Sequence, residues 1–243
     1  MPRVDWFFGR GLSIGCGLTW TVPTDWYHFP RAEQIARITA AVTAEMSSPS
    51  LDTHVIHDFL NFLAARTIAP WRHQFYTTNW DFLLQREMQN LGLHDLPSWL
   101  ASNHVYHLNG TVEQLPDNQH RSKFVLETDT ADARVATLEG NKAFDQLVWN
   151  QRFVVVGMSF EAEVDRFLLR AIKRIEGKLP IGESVWIVVN PDSSAVAKLS
   201  GQLKEAIPHA KVEPVVSTFG NWFQAGLPEL VASGATAHAA QPE

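Results

Sequence analysis

The sequence predicts an α/β fold with a doubly wound, mostly parallel sheet, and three observations lead there. Short apolar runs such as Phe153-Val154-Val155-Val156 show no polar alternation, the pattern of strands covered on both faces. Other stretches place apolar residues at 3- and 4-residue spacing, the pattern of helices with one buried face. The two patterns alternate along the chain, which implies helical crossovers and a Rossmann-like winding.

Taken in order, Val4 to Phe8 reads as a short buried strand that ends at Gly9. Arg31 to Met46 carries Ile35, Ile38, Val42 and Met46 on one helical stripe, and Asp52 to Ala65 follows with Val55, Ile56, Phe59 and Phe62. With no strand pattern between them, these two helices read as a helical insert over residues 24–72, bounded by Pro30 and Pro70. His73 to Thr77 and His104 to Leu108 read as strands, with a helix from Asp81 to Leu91 between them. Residues 111–123 are polar and contain Pro116-Asp117-Asn118, a surface-loop composition. A helix over Ala131 to Trp149 leads to the Phe153 strand. Helices Glu161 to Ile175 and Ser193 to Ala206 then alternate with strands Val185 to Val189 and Val212 to Val216. The expected organisation is one domain over residues 1–232 and a disordered tail over 233–243.

Composition limits the function. Hydrophobic residues make up 45% of the 243 and charged residues 19%, enough for a sizeable core. The net charge of −6 argues against a nucleic-acid partner, which calls for a basic surface. No run approaches 18 apolar residues, so no membrane span is expected, and the start of the chain lacks a signal-peptide pattern. The single cysteine, Cys16, leaves no internal disulfide and fits a reducing, cytoplasmic location; it also leaves no four-cysteine zinc site. His54 and His57 share a helix face without an evident third ligand, so no metal is expected. The nine tryptophans fit core and interface packing.

Gly9-Arg10-Gly11-Leu12-Ser13 follows the first strand directly, with Gly15 and Gly17 beyond. Glycine lets backbone N–H groups approach phosphate oxygens, and ligands of open parallel sheets sit at the carboxyl ends of strands. A tight turn without a ligand explains the same residues. The dinucleotide fingerprint GxGxxG is not met, because Ile14 stands where its third glycine belongs.

Four segments together resemble the sirtuin family. Gly9 to Leu18 is similar to its cofactor loop, Gly-Ala-Gly-Ile-Ser, three residues, then Gly-Ile-Pro. Thr78-Asn79-Trp80-Asp81 resembles its Gln-Asn-x-Asp motif, and with Thr77 is closer to the Thr-Thr-Asn-Tyr-Asp of bacterial sirtuin-like proteins that deplete NAD in phage defence. Val156-Gly157-Met158-Ser159-Phe160 resembles their Gly-Tyr-Ser-Phe segment, and Val188-Val189-Asn190-Pro191 the strand end near the adenosine ribose. The order and spacing fit across residues 5–225.

This resemblance implies a sirtuin-like fold of the zinc-free branch with NAD or ADP-ribose as ligand. Gly9, Arg10, Gly11, Ser13, Gly157, Ser159 and Asn190 would hold the cofactor. Asn79 would hydrogen-bond the ribose or a water, and Asp81 the carboxamide or the developing cation. The alternative for this pair is a helix start, with Asn79 as cap and Asp81 in the first turn. Arg10 replaces a small residue, so it can clamp a phosphate or crowd the site. The family's catalytic histidine precedes a glycine; here Leu108-Asn109-Gly110 puts Asn109 in its place. Asparagine is no base near neutrality, and a general base is worth roughly 10²–10⁴ in rate. His107, two residues away on the expected strand, shares the face of Asn109 and either reaches the cleft or is hydrogen-bonded elsewhere. Cys16 reads as a small structural residue. The resulting expectation is weakened NAD glycohydrolase activity, with a non-catalytic NAD or ADP-ribose module as the alternative and protein deacylation behind both. The related bacterial domains are often fused to or paired with a sensor, so a protein partner or a homo-oligomer is expected.

Overall fold

The computed structural model describes residues 3–21, 25–65, 72–93, 101–112, 124–141, 152–176 and 184–232. Six strands form one sheet: β1 (Arg3–Phe8), β2 (Arg72–Thr77), β3 (Ala101–His107), β4 (Arg152–Val156), β5 (Val185–Asn190) and β6 (Lys211–Val216). Their order is β3-β2-β1-β4-β5-β6, and every neighbouring pair is parallel. This is the Rossmann-like winding, whose strand order reverses direction between β1 and β4.

Eight helices connect and cover the strands among the described residues: α1 (Arg10–Gly15), α2 (Arg31–Met46), α3 (His54–Ala65), α4 (Leu83–Asn90), α5 (Ala131–Glu139), α6 (Glu163–Glu176), α7 (Ser193–Ala206) and α8 (Phe219–Ala232). The helical insert is present as α2 and α3, preceded by a single 3₁₀ turn at Trp26–His28. Alternation along β1 sets the two cores. Trp6 and Phe8 face the insert and α8, where Phe59 meets both rings edge-on. Phe7 faces the other layer with Tyr76, Phe153 and Trp186, and the last two rings stack 4.1 Å apart. Trp6 Nε1 donates to His73 Nδ1 at 3.1 Å, which requires neutral imidazole, and burial lowers His73 to about 4.

Several boundaries differ from expectation. The glycine loop contains a short helix, α1. The chain also forms α8, which periodicity does not reveal because Gly220, Gly226 and Pro228 punctuate its sequence. α4 begins at Leu83, not Asp81, because Asp81 Oδ1 accepts the Leu83 amide and turns the chain first. β3 ends at His107, so Leu108 and Asn109 lie in a turn. α5 closes at Glu139 with Gly140 as its C-cap, short of the expected Trp149. Residues 113–123, 142–150 and the tail at 233–243 lie outside the described residues.

Candidate functional site

A cavity of about 430 Å³ opens where the strand order reverses, at the carboxyl ends of β1, β2, β4 and β5. Its size falls in the roughly 300–1,000 Å³ range of ligand pockets. Gly9, Arg10 and Ser13 reach it from β1, Asn79 and Asp81 from β2, Asn109 from β3, Gly157 and Ser159 from β4, and Asn190 from β5. Two expected residues, Gly11 and His107, do not line it.

The glycines bring two loops into backbone contact. Gly9 N donates to Val156 O at 2.9 Å and Gly11 N to Gly157 O at 3.0 Å, so the Gly11 amide is spent on the neighbouring loop. A side chain on Gly11 would stand 2.7 Å from Gly157 Cα, and one on Gly157 would stand 2.8 Å from Gly11 Cα. Gly157 also has φ +61°, the left-handed region that glycine enters without strain.

Behind the loop lies a closed polar network. Ser13 Oγ donates to Asp81 Oδ2 at 2.7 Å and accepts from Asn79 Nδ2 at 2.7 Å. Asn79 Nδ2 also reaches Gly9 O at 3.0 Å. Asn79 therefore ties β2 to β1 and caps no helix; Phe82 stands at that position. Asp81 is buried, and burial raises its pKa against the opposing pull of the Ser13 bond and the Leu83 amide.

Asn109 contributes to the wall from its turn. With its amide turned to satisfy both neighbours, its nitrogen donates to Val125 O at 3.1 Å and its oxygen accepts from Trp80 Nε1 at 3.0 Å. Because the strand has already ended, the expected shared face with His107 is not formed. His107 is buried beside Phe8, Leu12 and Thr77 under a separate, much smaller void, with Nδ1 3.5 Å from Asn79 O.

The rest of the wall joins motif residues to Trp20, Tyr27, Glu127 and Arg134, which no sequence motif marks. Trp20 stacks on Trp80 with centroids 5.5 Å apart, and Arg10 lies over Trp20 and donates to its carbonyl at 2.6 Å. Tyr27 hydroxyl donates to Glu127 at 3.1 Å, and Arg134 Nη1 donates to Glu127 O at 2.8 Å. Ser159 Oγ accepts the Glu161 amide at 3.4 Å, and Asn190 Oδ1 accepts the Asp192 amide at 2.9 Å. Asp165 of α6 also lines the cavity. It shares a helix stripe with buried Leu168 and Ile172, and an acid on an apolar stripe is the signal that could have found it. Cys16 is fully buried, and burial pushes its thiol up to about 12, so it stays protonated as a packing residue. Among the described residues no group of three or more His, Cys, Asp or Glu side chains stands together to hold a metal ion. No helix among them is long and apolar enough to cross a membrane.

No family model matches the chain, and no curated protein matches it. A solved structure presented as "Structural Basis for the Mechanism and Regulation of Sir2 Enzymes" is similar to it with a TM-score of 0.47 and 14% identity. The similarity covers 97% of this chain and 94% of that one. A likeness at this identity concerns the fold alone.

Proposed function

We propose that this cavity binds NAD or ADP-ribose and that the protein is a slow NAD glycohydrolase of sirtuin-like type. One observation carries the reading: residues from each of the four sequence segments meet at one cavity where the strand order reverses. The residues suit such a ligand. Arg10 and Arg134 supply positive charge near a diphosphate, Asn79 and Asn190 supply amides for ribose hydroxyls, and the Trp20–Trp80 pair offers aromatic faces to a planar ring. In the reaction, a water oxygen bonds to the anomeric carbon of the ribose. The C–N bond to nicotinamide breaks, its electron pair passes to the ring nitrogen, and the water loses a proton. The site must stabilise a cation-like ribose in between, as in other glycoside cleavage. Hydrolysis expels a good leaving group and tolerates a weak base better than acyl transfer to a ribose hydroxyl does.

A binding-only module is the second reading. It is favoured by the engagement of both Asp81 oxygens and of the Asn109 amide within the protein. A protein partner or a second copy acting as trigger and a part in phage defence are proposals that follow from the sequence resemblance, and a cytoplasmic location is one that follows from the single cysteine.

Melting with NAD, ADP-ribose and nicotinamide, alongside an assay of nicotinamide release, tests both readings. Ligand at about 100 times its dissociation constant raises stability by roughly 2.7 kcal/mol. A shift with slow release supports the hydrolase, and a shift without release supports the module. No shift with millimolar NAD or ADP-ribose removes the nucleotide reading altogether.

A further inference from the structure

Asp165 is a carboxyl that neither the sequence segments nor the network around Ser13 accounts for. It stands in the first turn of α6, is 5% exposed, and belongs to the cavity wall. Its Oδ1 is buried without a hydrogen-bond partner among the described residues. Buried polar atoms are rarely left so, and a buried carboxyl with an orphan oxygen in a residue that lines a cavity is a candidate functional group. The Thr78 hydroxyl and the Phe160 amide favour its ionised form. Thr78 precedes Asn79 and lines the same cavity. Phe160 belongs to an unusual loop, since it is buried with φ +53°, where a bulky side chain is strained. Strain of this kind persists when the surrounding structure enforces it, and it gathers at functional sites.

We propose that Asp165 is the proton acceptor of this site, taking the proton from the water that attacks the ribose. The proposal rests on the NAD reading and supplies the base that Asn109 lacks. In the step, the Asp165 carboxylate gains the water proton as the water oxygen bonds to the anomeric carbon, and nicotinamide leaves with the electron pair of the broken C–N bond. The protonated carboxyl then returns its proton to solvent. Burial raises this carboxyl from 3.8 to about 7, against the smaller pull of the Phe160 amide, the Thr78 hydroxyl and Arg166. A base near the working pH is the most effective kind. The charged groups around it are Arg166 on its own helix and, from the other cavity walls, Arg10, Asp81, Glu127 and Arg134. Arg166 directs its guanidinium to Glu161 O at 2.6 Å.

The test compares wild type with Asp165→Asn and Asp165→Glu in the full chain. Nicotinamide release is followed against pH, and melting is followed with ADP-ribose. Wild-type release rises through a limb near neutral pH. Asp165→Asn loses that limb and at least about 100-fold in rate, yet keeps the ADP-ribose shift. Asp165→Glu regains part of both. Three results overturn the proposal: Asp165→Asn keeps the rate or the limb, Asp165→Asn loses the ADP-ribose shift together with the rate, or wild type binds ADP-ribose and releases no nicotinamide. In each of these the nucleotide reading stands if wild type still shifts with ADP-ribose. If wild type shifts with neither nucleotide, that reading falls and the proposal with it.

Discussion

Two buried carboxyls of the cavity wall, Asp81 after β2 and Asp165 on α6, are both raised by burial. Their surroundings differ. Asp81 has both oxygens occupied, by Ser13 and by the Leu83 amide, so it fixes the start of α4 as well as facing the cavity. The Oδ1 of Asp165 has no hydrogen-bond partner among the described residues. In the unfolded chain Asp165 titrates near 3.8, and in the folded protein near 7. Below the first value it is protonated in both states and contributes nothing to the pH dependence of stability. As pH rises through the interval the unfolded state gains by ionising first, so the fold loses stability until the folded value is passed. A rise of about three units corresponds to an upper bound of roughly 4 kcal/mol. Asp165→Asn removes the ionisation. It is therefore expected to match wild type in urea unfolding near pH 4 and to exceed it by roughly 2–4 kcal/mol near pH 8. An equal difference at both pH values would mean that the carboxyl is not raised.

At the scale of elements, the contact between the β1 and β4 loops turns on glycine. Gly157→Ala must place a methyl 2.8 Å from Gly11 Cα at φ +61°. It should cost at least about 2 kcal/mol in denaturant unfolding, from left-handed strain and overpacking together. Gly15, on α1 of the same loop, has nothing within 4 Å of where a methyl would stand, and Gly15→Ala should be neutral or stabilising by up to about 1 kcal/mol. If both changes cost the same, loop packing is not what those glycines provide. Legibility from sequence divides along similar physical lines. Helices α2 and α7 keep the bounds that periodicity predicts, because each carries a full apolar stripe, such as Ile38, Val42 and Met46 or Val196, Leu199 and Leu203. Helix α1 is hidden because its six residues are too few for periodicity to register, and α8 because glycines and a proline interrupt it. For the cavity wall, most of its strand-end residues carry local motifs. Asp165 is marked only by an acid on an apolar stripe, and Trp20 and Tyr27 by nothing local, because only the folded chain brings their elements to the cavity.

At the scale of the whole molecule, contacts tie the insert to the sheet and to the cavity wall. Arg31 of α2 holds Asp129 at 2.6 Å and Phe124 O at 2.7 Å, and Gln34 of α2 accepts the Thr128 hydroxyl at 2.5 Å. Those contacts anchor the segment that carries Val125, Leu126 and Glu127 into the cavity wall. On its other helix, Phe59 touches the rings of Trp6, Phe8, Phe75, Phe219 and Phe223, joining α3 to β1, β2 and α8. One ring thus links the insert, the centre of the sheet and the last helix. Phe59→Ala removes a fully buried ring and should cost about 3–5 kcal/mol. Because the ring bridges these elements, the loss should lower one transition rather than split it. Unfolding followed by tryptophan fluorescence and by far-ultraviolet circular dichroism should stay coincident in the variant. Separate transitions, with the helical signal lost first, would mean that the insert folds on its own account, and that the cavity wall it anchors can loosen while the sheet persists.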